Sequence, residues 1–282
     1  MPVTRLILAV LIATVAWMQP AAARPLAAVK ASGELKVAVY ADFPPYSFEQ
    51  DGRLVGIDVD AARALADALG VRVSFMVREG GENLDDDLRV NVWRGDIVER
   101  KVADVMMHVP LDHALAARND DAFLCCAYFR EELAVLHDTA VVPEVGSLAR
   151  FGATKIAVEN DTISDFFLTS AFHGQLRNSV VRGRRFADAE EAFTTGAAPA
   201  LMAPRAQLEW VVRRTPRHTA LALPAMPGLA KRSWTVGIAV RADSRDLADA
   251  LGAALGDLRA SGRLDAICSP YGVTALPVAG EQ

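Results

Sequence analysis

The residues with chemistry to offer sit in a few short stretches of the 282-residue chain. Asp42-Phe43-Pro44-Pro45-Tyr46 follows an apolar run, Leu35 to Tyr40, that reads as a buried strand. Neither proline can donate to a ladder, and each pushes the residue before it out of the helical region, so the strand ends there in a loop. Phe43 and Tyr46 then rim the carboxyl end of a strand, which is where open α/β sheets hold ligands. His108, Asp112 and His113 form a second polar cluster, after the apolar strand Val102–Met107. The spacing of the two histidines is poor for one helical face and no further His or Cys completes a zinc shell, so His108 is read as a ligand contact, with no metal or cofactor expected. Asp85-Asp86-Asp87 could charge a helix start or hold a cation. The alternating ligands and central glycine of an EF-hand are missing, which favours helix charge. G-x-S-x-G, H-E-x-x-H and phosphate-loop patterns are absent, so nothing marks the chain as an enzyme.

The elements that must position these groups alternate between strand and helix. Asp51-Gly52 is a turn signal, and Val59, Ala62, Leu65, Ala66 and Leu69 then recur as one helical face that closes at Gly70. A strand over Val71–Val77, a helix from about Leu84 to Trp93 capped by Asn83 or Asp85, and the strand Val102–Met107 complete a first unit. A second unit reads strand Lys155–Val158, helix Ser164–Gly174 capped by Asp161 or Ser164, strand Ser179–Val181, helix Asp188–Thr195, strand Ala200–Ala203, helix Arg205–Arg213 and strand Ala220–Leu223. Trp234–Val240 is a further strand and Ser244–Ala260 a helix.

The chain opens MPVTRLILAVLIATVAWMQPAAA, one basic residue followed by a short apolar run and an A-x-A site. That pattern predicts a signal peptide over residues 1–23, a mature start at Arg24 and a periplasmic destination. No later stretch approaches the ~18 apolar residues of a membrane span, so the mature protein is expected to be soluble. Losing Arg5 takes the formal charge from −5 to −6, which gives no electrostatic case for nucleic acid. What remains is long enough for two lobes with separate cores. Three cysteines are present, Cys125, Cys126 and Cys268. A bridge from Cys268 to one of the adjacent pair and buried free thiols both stay open.

The stretch VAVYADFPPYSFEQDGRLVGIDVDAARALADALGV resembles the opening of bacterial extracytoplasmic solute-binding proteins of family 3, the polar-amino-acid type. The likeness resumes at Val102–Met107 and Trp234–Tyr271. It implies an α/β, two-lobe type II periplasmic-binding-protein fold, each lobe an open sheet, with two hinge crossings. The divisions it implies are 24–128 for the first part of lobe one, 129–236 for lobe two, and 237–282 for the return segment of lobe one. By the same resemblance Arg118 is the expected ligand-carboxylate anchor, and Thr162 holds the threonine of the helix start that receives the ligand. Asp161 replaces a glycine there and would repel a carboxylate, while Pro204 replaces the aspartate that takes an ammonium. Phe43, Tyr46, His108, Arg118, Asp161 and Thr162 are therefore the expected ligand-binding residues, and an ordinary α-amino acid is not the expected ligand. The resemblance implies a monomeric capture protein for a small polar or carboxylate-bearing molecule, delivering to an ABC permease. It allows two alternatives: an accessory protein of a periplasmic quinoprotein dehydrogenase, or a cyclohexadienyl dehydratase-like enzyme using Glu159 or Asp161 as acid.

Overall fold

Alternate residues of strand β1 (Glu34–Tyr40) enter different cores: Leu35, Val37 and Val39 one apolar cluster, Ala38 another. Burial on both faces is what a run with little polar alternation requires. The computed structural model describes residues 24–98, 100–215 and 218–278, so the predicted signal, 1–23, lies outside them. A short helix α1 (Leu26–Ser32), not expected from the sequence, leads into β1. After the Pro-Pro loop come the hairpin β2 (Phe48–Gln50) and β3 (Arg53–Val55), helix α2 (Ile57–Leu69) and strand β4 (Arg72–Arg78). Helix α3 (Leu84–Leu88) passes into one π turn, Arg89–Trp93, and its cap is Asn83, whose side chain accepts from the Asp86 amide. Strand β5 (Val105–Pro110) and helix α4 (His113–Arg118) follow.

Strand β6 (Ala122–Asp138) runs for 17 residues and joins the two lobes. Its first part, Ala122 to Glu132, pairs antiparallel with β11 (Ser233–Arg241), and its second part, from Leu133, pairs with β9 (Ala200–Pro204). The second lobe is built from β7 (Ile156–Glu159), helix α5 (Ile163–Gly174), β8 (Val180–Gly183), helix α6 (Phe186–Thr194), β9, helix α7 (Arg205–Arg214) and β10 (Thr219–Ala222). Helices α8 (Arg245–Ala260) and α9 (Arg263–Cys268) return to the first lobe. Strand order along the shared ladder is β4-β1-β5-β11-β6-β9-β7-β8, with β10 beside β6.

The fold is the two-lobe type II periplasmic-binding-protein fold. In place of a free first connection between two separate sheets, β6 carries the hydrogen-bonded ladder unbroken from one lobe to the other. The sequence shows this poorly because Ala127–Phe129 and Leu133–Leu136 are both apolar, with only charged residues between them. Each lobe packs helices on both faces. In the first, α2 and α8 cover Val37, Val236 and Ile238, while Leu88, Val92 and Leu115 cover Met106 and Ala239. In the second, Phe167 and Leu168 of α5 cover Val158 and Met202, and α6 and α7 cover Ala157 and Leu201.

The cap of α5 is Thr162, whose hydroxyl accepts from the Asp165 amide, and not Asp161 or Ser164. None of the three cysteines is in a disulfide, which removes the Cys268 bridge: Cys268 is buried in the lobe-one core. The three consecutive aspartates do not converge on a cation. Asp85 accepts from Asn119, Asp86 from Arg89, and Asp87 from Tyr40. Among the described residues no helix is long and apolar enough to cross a membrane.

Candidate functional site, a cleft between two lobes

The Pro-Pro loop turns back on itself because the Ser47 amide donates to the Phe43 carbonyl, and the Phe43 amide to the Ser47 carbonyl. This stacks the aromatics in depth. Phe43 lies 4.7 Å from Tyr46 and 4.9 Å edge-on from the His108 ring, by centroids. Only Phe43 reaches the cleft. Tyr46 is 1% exposed, and its hydroxyl donates to the fully buried Glu131 carboxylate. The expectation that Tyr46 meets a ligand is therefore corrected: a residue two prolines further along the loop is folded under the first aromatic.

His108 is also turned inward. Its backbone is left-handed (φ 60°), its amide donates to the Tyr128 hydroxyl at 3.1 Å, and its Nδ1 sits 3.1 Å from Asp58. Tyr128 in turn donates to the other Asp58 oxygen at 2.5 Å. Asp58, 1% exposed, thus accepts from two partners at the start of α2, which satisfies a carboxylate that would otherwise be costly to bury. Burial, then Asp58, pushes the Tyr128 phenol well above its ordinary range, and burial followed by Glu131 does the same for Tyr46. Burial also raises the Glu131 carboxyl, to about 7, although Tyr46 and His108 oppose the rise. Glu131 stands beside the point where β6 changes partners, so a buried carboxyl group lies at the joint between lobes.

Above this layer lies a cavity of about 650 Å³ with walls from both lobes. Lobe one contributes Asp42, Phe43, Glu79 and Asp87, and lobe two Glu159, Thr162 and Arg185. Asp87 accepts from Tyr40 at 2.7 Å and from the Gly81 amide at 2.8 Å. Glu159 is raised by burial and then by Asp188, against the opposing Phe186 amide. Four carboxylates face one cation, since among the described lining residues Arg185 alone is basic. Arg185 reaches across to Asp42 at 3.9 Å, both well exposed.

The remaining expected residues lie elsewhere. Arg118, more than half exposed, donates to the Ala114 carbonyl at 3.0 Å and pairs with Asp85 at 3.4 Å. It lines an adjoining cavity of about 330 Å³ with Asp112, Ile163, Lys231 and Trp234. There Lys231 pairs with Asp112 at 2.8 Å. That bond, followed by the Leu115 amide, holds the Asp112 carboxyl down to about 2. Arg118 is thus an occupied rim residue and does not stand with Phe43. Asp161 has φ 59°, the conformation that glycine adopts most readily, and its carboxylate is held by Asn160 at 2.6 Å. Pro204 ends β9, and Arg205 beside it pairs with Glu132 at 3.0 Å and Glu209 at 2.9 Å, so it offers the cleft no free cation.

Sequence reasoning missed Asp58, Glu131, Asp42, Glu79 and Arg185. Glu131 and Glu132 were visible, with Arg130, as charges inside an otherwise apolar strand, which is a signal that a buried carboxylate must be satisfied. Asp58 stands in the first turn of α2, where an acidic residue reads as helix charge, and Asp42, Glu79 and Arg185 lie outside the helices and strands with no pattern to distinguish them.

A cleft closed by two α/β lobes on a shared hinge, with an aromatic at its floor and polar groups on both walls, defines a ligand-binding protein of the two-lobe class. The family model for bacterial extracellular solute-binding proteins, family 3, matches residues 35–274, and the chain belongs to that family. Solved structures agree on the fold. An ancestral cationic amino-acid solute-binding protein superposes with a TM-score of 0.70 at 18% identity, covering 88% of this chain and 99% of that one. An amino-acid ABC transporter substrate-binding protein from Streptococcus pneumoniae, bound to L-arginine, gives 0.65 at 20% identity over 89% and 99%. A histidine kinase sensor domain gives 0.61 at 20% over 86% and 98%. Membrane-bound lytic murein transglycosylase F of Enterobacter sp. (strain 638) is 36% identical over 86 residues, 30% of this chain. The match spans 16% of that protein's length.

Proposed function

We propose that this chain captures a small cationic solute outside the cytoplasm and presents it, enclosed between its lobes, to an ABC importer. The lobes are assigned to 24–128 with 237–282, and to 129–236. The change of ladder partners along β6 and the start of β11 fall within a few residues of those limits. The observation that carries the reading is the charge balance of the larger cavity: Asp42, Glu79, Asp87 and Glu159 against Arg185. A cleft lined by one sign of charge concentrates the opposite charge and disfavours its own. Phe43 adds a ring face against which an amine or guanidinium is held by its quadrupole. The cationic amino acid and the L-arginine named for two proteins of the same fold are compatible with that sign.

Among the described residues, nothing on the walls is placed as a free anchor for an α-carboxylate. Arg118 is engaged by Asp85, Arg205 by Glu132 and Glu209, and Arg185 leans toward Asp42. The solute class that fits is an amine or guanidinium with no required carboxylate. A thermal-shift screen by charge class tests this, since a ligand of the folded state raises Tm by mass action. Amines and guanidines are expected to stabilise the protein, and neutral polyols and dicarboxylates to leave it unchanged. Stabilisation confined to carboxylates, or a response to no class, would defeat the proposal.

A further inference from the structure

Cys125 and Cys126 lie on a part of β6 that neither cleft cavity uses. Adjacent side chains of a regular strand point to opposite faces. Phe123 follows that rule toward the α8 side, Leu124 toward the opposite core, and Cys125 back again. Cys126 breaks it, packing on the same side as Cys125. The cause is a bulge. Between the pairs Val236 with Phe129 and Ile238 with Cys125, the three residues Cys126 to Tyr128 stand opposite Gly237 alone. Glycine is required opposite, because a Cβ at 237 would lie 2.4 Å from the Cys125 carbonyl oxygen. Within the bulge Cys126 takes φ 61°, a left-handed backbone unfavourable for a residue with a side chain. Such an outlier, held by its surroundings, is a reason to ask what the arrangement serves.

Both cysteines are partly exposed and line a cavity of about 400 Å³ under α8, with Phe123, Gly252 and Arg259. Neither is in a disulfide, and the Cys126 thiol donates to the Ala248 carbonyl at 3.4 Å. The Arg259 guanidinium, which donates to the Ala127 carbonyl at 2.5 Å, and Asp249 line the same cavity, so it carries both signs of charge.

We propose that Cys125 and Cys126 are an oxidisable thiol pair that closes to a vicinal disulfide by exchange with a small disulfide entering this cavity. One thiolate attacks a sulfur of the entering disulfide and expels the first thiolate. The neighbouring cysteine then attacks the mixed disulfide, forms the Cys125–Cys126 bond and expels the second. Two S–H bonds are lost, one S–S bond is gained, and the small disulfide leaves as two thiols. Neighbouring Cα atoms are about 3.8 Å apart, below the roughly 4.4 Å minimum usual for a disulfide, so the bond is strained and easily reduced. The modification is reversible. Extracellular placement, the common property of the family, is where oxidised thiols persist. Cys268, buried in the core, takes no part.

Treating the reduced, full chain with oxidised glutathione, followed by alkylation and mass spectrometry, tests this directly. The expected result is loss of two of the three thiols, a mass lower by two hydrogens, no glutathione retained, and oxidation mapped to the peptide holding Cys125 and Cys126. Dithiothreitol restores all three. Cys268→Ser should oxidise like the natural chain, and Cys126→Ser should trap glutathione on Cys125. Three unreacted thiols, a bridge involving Cys268, glutathione stably held by the natural chain, or a disulfide-linked dimer would each overturn the proposal. Should Cys126→Ser fail to fold, Cys268→Ser still decides it.

Discussion

The floor of the cleft and its rim are built on opposite principles. Below Phe43, buried polar groups are paired with one another: Asp58 with Tyr128 and His108, Glu131 with Tyr46. At the rim, carboxylates from both lobes face one another across open space with a single exposed arginine among them. The floor fixes geometry, because a satisfied buried network has one arrangement and leaving it is costly. The rim leaves charge uncompensated, and that is what a mobile cation can supply. Residue types suited to chemistry, a histidine and a tyrosine, went to the floor as supports, while the cavity walls are lined by carboxylates that no sequence pattern marks.

If the floor is structural, removing its central acceptor should have the largest effect of any change here. Asp58→Ala strips the Tyr128 hydroxyl and His108 Nδ1 of their shared partner, with a loss of about 3 kcal/mol or more in urea unfolding. A loss under about 1 kcal/mol would show that the network does not hold the floor.

Glu131 sharpens the same contrast through pH. Its carboxyl is raised from 4.5 to about 7 in the folded protein, so between those values the folded state binds more protons than the unfolded one. Stability should therefore fall as pH rises through that window, by up to about 3 kcal/mol. Glu131→Gln, which keeps an acceptor for Tyr46, should flatten that part of the curve. An unchanged slope in the variant would place the dependence elsewhere.

At the rim the effects should appear in binding. Phe43→Ala should weaken a cationic ligand by about 1–2 kcal/mol in calorimetry while barely moving its salt dependence. Equal weakening of neutral ligands would make Phe43 a packing surface and not a cation platform. Smallest is the exposed pair of Lys231 with Asp112: Lys231→Ala should cost less than about 1 kcal/mol of stability. A larger loss would mean that this pair belongs to the fixed part of the molecule.

Much of the architecture was legible in the sequence, because Val59, Ala62, Leu65 and Leu69 repeat at helical spacing and Leu35–Tyr40 is an unbroken apolar strand. The continuity of β6 was not, since the change of ladder partners at Leu133 depends on which strand arrives beside it and not on any local residue. The site was legible in outline only. Phe43 and Thr162 do line the cavity, but Tyr46 is folded inward by the Pro-Pro loop and His108 by its left-handed backbone within β5, and Arg118 is drawn off by Asp85 from a different helix. Asp161 was visible as a departure from glycine, yet its left-handed backbone explains the position without a ligand. Spacing along a chain does not reveal such non-local partners.

The central claim is that an acidic rim without a carboxylate anchor selects the cation alone. Agmatine and L-arginine carry the same guanidinium and differ by the carboxylate, so their affinities for the natural chain, measured by calorimetry at one salt concentration, isolate that point. Agmatine should bind at least as tightly as L-arginine, and Glu159→Gln should weaken both. A preference for L-arginine of about tenfold or more, equivalent to about 1.4 kcal/mol supplied by a carboxylate partner, would contradict it.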